Sequence, residues 1–90
     1  MYKIKYSGKI KKDMKLCQKR GYDFLLFENI LEKLMKPEPL EAKNKPHDLK
    51  GNYKGFEECH ISPDWLLIYR YNGEYLELSR TGTHSDLFGE

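Results

Sequence analysis

Between His60 and Phe88 the chain collects most of the side chains that can move protons or hold an anion. The segment reads His60-Ile61-Ser62-Pro63-Asp64-Trp65, then the apolar run Leu66-Leu67-Ile68-Tyr69, an Asn72-Gly73 turn and a second strand-like run to Arg80, with His84 and Phe88 beyond it. Histidine titrates near neutral pH, so a pair can supply a base and an acid in one reaction. An arginine beside them can hold a phosphate by two parallel hydrogen bonds. Asp64 can orient a histidine or take a proton itself. A third histidine, His47, lies upstream. Acid, base and anion clamp together suit the cleavage of RNA by its own 2′-hydroxyl. A base removes the 2′ proton, a cation stabilises the crowded phosphate, and an acid protonates the departing 5′ oxygen. Trp65 and Phe88 can stack on splayed bases, as single-stranded RNA is commonly held. A core position suits Trp65 equally well. His47, His60, His84 and Asp64 are also metal-ligand types, but the close spacings of zinc motifs are absent. No metal and no cofactor is expected.

These groups need elements to bring them together. Tyr2-Lys3-Ile4-Lys5-Tyr6 alternates as a short half-buried strand does. Ser7 can cap a helix in which Ile10, Met14 and Cys17 recur at helical spacing, and Gly21 stops it. Asp23 can cap a second helix with an apolar stripe of Phe24, Phe27, Ile30, Leu31, Leu34 and Met35, ended by Pro37. The two form a helical hairpin. Residues 37–46 read as a polar, proline-punctuated loop. Three strands follow: Tyr53–Ile61, Trp65–Tyr71 and Glu74–Thr81. The middle one is apolar enough to be buried on both faces, and Asn72-Gly73 is a strong hairpin signal. By parity Arg80 falls on the face of Leu76 and Leu78, which is costly unless the strand has ended or bulged there, so Arg80 is expected at the strand end, facing a site. Gly82 breaks the strand, and His84 to Phe88 can form one helical turn. The class is therefore α+β: a small, mostly antiparallel sheet of four main strands, a helical hairpin on one face, the opposite face or one end free for function, and a short carboxy-terminal helical turn.

Ninety residues make a single domain, residues 1–90. The net charge is only +2, but its distribution is lopsided. Residues 1–20 hold eight basic groups against one acid, Asp13, a net +7, and the rest of the chain is net −5. Lys9, Lys11, Lys12, Lys15 and Lys19 form a basic helical face for a polyanion or an acidic partner, or simply a solvated surface. The two cysteines, Cys17 and Cys59, cannot build a disulfide framework and read as buried apolar residues in a reducing compartment. There is no signal-peptide core and no apolar run of membrane-spanning length, so a soluble, cytoplasmic chain is expected, with no membrane partner.

Three ordered blocks resemble the YafQ branch of the RelE toxin superfamily. They are His47-Asp48-Leu49-Lys50-Gly51, the segment His60 to Tyr69, and Arg80-Thr81-Gly82-Thr83-His84-Ser85-Asp86-Leu87-Phe88. The amino-terminal Tyr6-Ser7-Gly8, Lys12-Asp13 and Lys19-Arg20 are also similar, so the resemblance covers nearly the whole chain. It implies a RelE-like fold and a bacterial type II toxin: a metal-independent endoribonuclease that cuts mRNA in the ribosomal A site and is neutralised by a protein antitoxin. Carried over by position, it implies proton-handling roles for His47, His60 and Asp64, phosphate stabilisation by Arg80 and general-acid catalysis by His84. Trp65 and Phe88 match aromatics that position the substrate, and Lys50 is expected to contact it. Two positions depart from the pattern: Glu57 stands where an arginine is usual, and Tyr53 where a tryptophan is common. Beside this reading stand two others, a non-enzymatic RNA- or ribosome-binding module using the basic helix, and a protein-interaction domain. The first of these predicts salt-dependent RNA binding without cleavage products. The second predicts no toxicity.

Overall fold

In a computed structural model, which describes residues 1–89, the first strand is Lys3–Tyr6 (β1), followed by helices Gly8–Lys19 (α1) and Phe24–Met35 (α2). After two short 3-10 turns and a two-residue strand, His47–Asp48 (β2), come Glu57–Ser62 (β3), Trp65–Asn72 (β4), Tyr75–Gly82 (β5) and a last helix, His84–Phe88 (α3). The sheet order is β1-β5-β4-β3-β2, with β1 parallel to β5 and the other neighbours antiparallel. The α+β class is as expected. The sheet has five strands rather than four main ones, because His47 and Asp48 pair with Glu58 and Glu57 at its edge.

Local signals set the element ends. The Ser7 hydroxyl accepts from the Ile10 amide at 3.0 Å and the Asp23 carboxylate from the Leu25 amide at 3.0 Å, so each satisfies a donor the helix itself cannot. Gly21, with φ 77°, follows α1 in the left-handed region that such an ending requires. The strand expected from Tyr53 begins only at Glu57. Gly51 and Gly55 hold positive φ and turn residues 51–55 out of the sheet. The 37–46 loop contains a 3-10 turn, Ala42–Asn44, and the buried Asn44 donates its Nδ2 to the His60 carbonyl at 2.8 Å.

Both helices pack on one face of the sheet. Ile10 and Cys17 of α1 and Phe27, Ile30, Leu31 and Leu34 of α2 meet Trp65, Leu67, Tyr69, Leu76 and Leu78. Each large apolar side chain fully buried this way contributes about 1.5–3 kcal/mol. Both thiols are buried and unpaired, and burial pushes Cys59 up to about 12. Of the two places expected to be free for function, one end of the opposite face stays open and the face itself is partly covered. Leu66 and Ile68 of β4 point there, and the two leucine-sized side chains are too apolar to face water. Leu87 of α3 packs with them, and Leu49, Tyr53 and Phe56 roof part of that face.

A bulge settles the placement of Arg80. Ile68 pairs with Arg80 but Tyr69 pairs with Leu78, so Ser79 is an extra residue in β5. Ser7 holds it there, donating its hydroxyl to the Ser79 carbonyl at 2.6 Å. The insertion shifts parity by one, so Arg80 leaves the leucine face and joins the side of Ile68. The turn into α3 is equally constrained. Gly82 has φ 153°, and a Cβ on it would lie 2.8 Å from Asp86 Oδ2. That carboxylate accepts from the Thr83 amide at 2.9 Å and cannot retreat without losing the cap of α3. Gly82→Ala is therefore expected to destabilise the fold by about 1–3 kcal/mol, read as a lower urea midpoint with an unchanged slope.

Candidate active site

Cross-strand register builds the site. Residues paired across neighbouring antiparallel strands share a face. The pairs His47↔Glu58, Glu58↔Ile68 and Ile68↔Arg80 therefore form one row across β2, β3, β4 and β5. The next row is His60, Leu66 and Gly82. His84 opens α3 directly beyond that row, and Asp64 lies in the turn between β3 and β4. Three histidines, two carboxylates and an arginine thus meet on one side of one end of the sheet.

Glu58 sits between two histidines. Its side chain is only 5% exposed, and Oε1 lies 3.3 Å from His47 Nε2 and 3.8 Å from His60 Nε2. Its other oxygen is buried without a hydrogen-bond partner. His47 Nδ1 stands 2.8 Å from the Lys45 carbonyl, and since a carbonyl only accepts, that nitrogen carries the hydrogen. The His60 ring meets the His84 ring edge-on with centroids 5.6 Å apart. Asp64 Oδ1 accepts from the His84 amide at 3.0 Å and faces His84 Nδ1 at 2.7 Å. Those contacts, the backbone one foremost, hold the Asp64 carboxyl below its ordinary range. With Nδ1 directed at Asp64, Nε2 of His84 is the nitrogen left for a ligand.

Arg80 donates Nε to Asp13 Oδ2 at 2.7 Å and Nη2 to Asp13 Oδ1 at 3.1 Å. Asp13, and then the nearby Tyr53 hydroxyl, hold the guanidinium firmly charged. A second ion pair braces the same segment from the residue that ends α1. Arg20 grips Asp86 by two bonds of 2.5 and 3.0 Å, which keeps the Asp86 carboxyl far below its ordinary range.

The aromatics divide. Trp65 does not face a substrate. It is 3% exposed, packs on Tyr22, Phe24 and Phe27, and donates Nε1 to Thr81 Oγ1 at 2.9 Å. Its odd position in β4 puts it with Leu67 and Tyr69 under the helices, so the stacking role expected for it is corrected to a core role. Phe88 is 39% exposed and lies edge-on to Tyr53 at 6.0 Å, at the rim of the site. Lys50 is exposed beside Tyr53's turn, and Lys9, Lys11, Lys12, Lys15 and Lys19 are all exposed on α1. Reading the sequence missed Glu58, Asp13 and Tyr53. A signal for Glu58 was present, since it lies two residues before His60 and so on the same face of the same strand.

A family model described as bacterial toxin of type II toxin-antitoxin system, YafQ, matches residues 2–89. The chain belongs to the YafQ family. It is thus a type II toxin-antitoxin toxin, of RelE-like fold. The mRNA interferase toxin YafQ of Escherichia coli K12 is 44% identical over 87 residues, covering 96% of this chain and 95% of that one. The YafQ chain in a crystal structure of the E. coli DinJ-YafQ complex superposes with a TM-score of 0.89 at 41% identity, covering 99% of this chain and 100% of that one. A crystal structure of a metal-bound toxin from Helicobacter pylori gives a TM-score of 0.92 at 42% identity, covering 98% and 100%. A metal-bound relative raises the question of whether this chain's residues fit an ion. One ligand atom each from Glu58, His60 and His84 lies within 4.8 Å of the others. Two imidazoles and a carboxylate suit a borderline divalent ion, and the unpartnered Glu58 oxygen adds a free donor. Asp64 on His84 Nδ1 would be the usual outer support of such a ligand. The residues fit. No helix among the described residues is long and apolar enough to cross a membrane.

Proposed function

We propose that this chain is a metal-independent endoribonuclease that cuts mRNA in the ribosomal A site through attack of the RNA's own 2′-hydroxyl, and that a protein antitoxin neutralises it in the cytoplasm. The observation that carries this reading is the joining of His60 and His84, each beside a carboxylate, with a guanidinium on the same face of the sheet. The proton acceptor is one of the two imidazoles that share Glu58, His47 or His60. Asp64 is committed to His84 and orients it, so that Nε2 can protonate the departing 5′ oxygen. Arg80 carries the charge that builds on the phosphate. Phe88, at the rim, supplies an apolar face for a base, and Lys50 a contact for the RNA backbone. The whole scheme lies within residues 1–90 as one domain.

Metal independence has its own test. A divalent ion held by Glu58, His60 and His84 would supply Lewis-acid chemistry, but it would also occupy the imidazole nitrogens that the proton transfers need. With Mg2+ kept in excess for the ribosomes, cleavage of a defined mRNA is expected to persist in a chelator selective for transition metals and to fall at least about tenfold when copper(II) or zinc(II) is added, with recovery on chelation. Loss of cleavage in the chelator, restored by metal, would replace this scheme with a metal-assisted one.

The exposed lysines of α1 lie outside the catalytic row and serve docking, on ribosomal RNA or on an acidic antitoxin segment. They also keep a second reading in play, that of a module harmful by binding alone. Induced expression with mapping of mRNA ends separates the two. Codon-phased cuts with the parent chain and none with His84→Ala support the nuclease; growth arrest without cuts by both supports binding alone.

A further inference from the structure

Asp13 has no part in the proton transfers, yet it makes three contacts to the catalytic strand. Its Oδ2 accepts from Arg80 Nε at 2.7 Å and from the Thr81 amide at 3.2 Å, and its Oδ1 accepts from Arg80 Nη2 at 3.1 Å. The two side chains are 14% and 20% exposed, so water competes little for the pair. Thr81 is itself locked, with its hydroxyl donating to the Leu66 carbonyl at 2.6 Å and accepting from Trp65 Nε1. Asp13 therefore joins α1 to a rigid point of β5.

What this does to Arg80 follows from the shape of a guanidinium. Its five N–H bonds lie in one plane and form two usable forks. Asp13 fills the Nε–Nη2 fork. Of the three remaining hydrogens, the second on Nη2 and the facing one on Nη1 form the end fork, which matches two oxygens of a phosphate. We propose that Asp13 is a positioning residue for RNA cleavage: by filling one fork of Arg80 from behind, it fixes the other fork toward the scissile phosphate. This rests on the role given to Arg80 above. A carboxylate behind the guanidinium also weakens its pull on a distant phosphate, so Asp13 trades attraction for placement. Its effect belongs in kcat and not in KM.

The test is a double-mutant cycle in single-turnover cleavage on programmed ribosomes, using the full chain. Asp13→Asn is expected to lower kcat about 10–100-fold with KM unchanged or smaller. Arg80→Ala is expected to lower kcat further, and Asp13→Asn is expected to add nothing in the Arg80→Ala background. Parent-level cleavage by Arg80→Ala would remove the role of Arg80, and this inference with it. A low Arg80→Ala rate with a parent-level Asp13→Asn rate would overturn the inference and leave Arg80 in place. An undiminished Asp13→Asn effect in the Arg80→Ala background would make Asp13 a strut between α1 and β5, which also overturns it. Should Asp13→Asn fail to fold, Asp13→Glu keeps the charge but displaces the fork by a methylene. Its kcat is then expected to fall with KM unchanged, and a parent-level kcat would refute the placement.

Discussion

Replacing His84 with alanine is expected to lower ribosome-dependent mRNA cleavage by about 10²–10⁴-fold, the usual contribution of a positioned general acid. The fold should not change. His84 is 41% exposed at its side chain, and the cap of α3 comes from Thr83 and Asp86, which the substitution leaves alone. Its amide still donates to Asp64, so the turn keeps its backbone contact. The measurement is a single-turnover rate on programmed ribosomes beside a thermal melt of the free protein. A mutant with the parent's rate would remove His84 from the chemistry and pass the acid's role to another group. A mutant that melts earlier by many degrees would show instead that the ring is part of the fold.

Arg80→Ala is expected to cost about 10²–10³-fold in kcat, as does removal of one preorganised donor to a developing anion. This substitution also touches stability, because it strands the Asp13 carboxylate, 14% exposed, with the Thr81 amide as its remaining partner. The two effects are separable. Arg80→Lys returns a charge to Asp13 but offers no second fork, so it should recover most of the melting temperature while kcat stays at least about tenfold below the parent. Recovery of both by lysine would mean that a point charge suffices and that fork geometry is irrelevant.

The parts of the fold that were legible in the sequence are those decided by neighbours in the chain. Ser7 and Asp23 cap the helices they precede, Gly21 lies at the end of α1, and Asn72-Gly73 joins β4 to β5. Each is a local hydrogen-bonding or backbone requirement. Parity places a charge among leucines, and the expected relief is a strand that ends at Arg80; β5 instead bulges at Ser79 and runs on to Gly82. Trp65 stayed open between the core and the site for a definite reason. The run Trp65 to Tyr69 is apolar at every position, so alternation cannot show which residues face the helices and which face the site. The i, i+2 spacing of Glu58 and His60 was legible, but the contact of Glu58 with His47 depends on β2, a two-residue strand that leaves no periodic trace. Asp13 was invisible in another way. Its partner is 67 positions distant, and no spacing rule links an acid on a lysine-rich helix to an arginine in the last strand.

The parallel pairing of β1 with β5 bears on when, during synthesis, this toxin becomes dangerous. β1 and α1 leave the ribosome first, but the strand that β1 pairs with and the segment that Asp13 and Arg20 hold are among the last made. Until Tyr75–His84 emerge, β1 lacks the strand it pairs with, and the histidines of β2 and β3 lack His84 and Arg80, the acid and clamp proposed above. Closure over so long a loop comes late in folding. On that proposal, a ribosome translating this chain carries an inert product for nearly the whole of elongation. An antitoxin that captured the nascent amino-terminal helix would reach the toxin before it could cut.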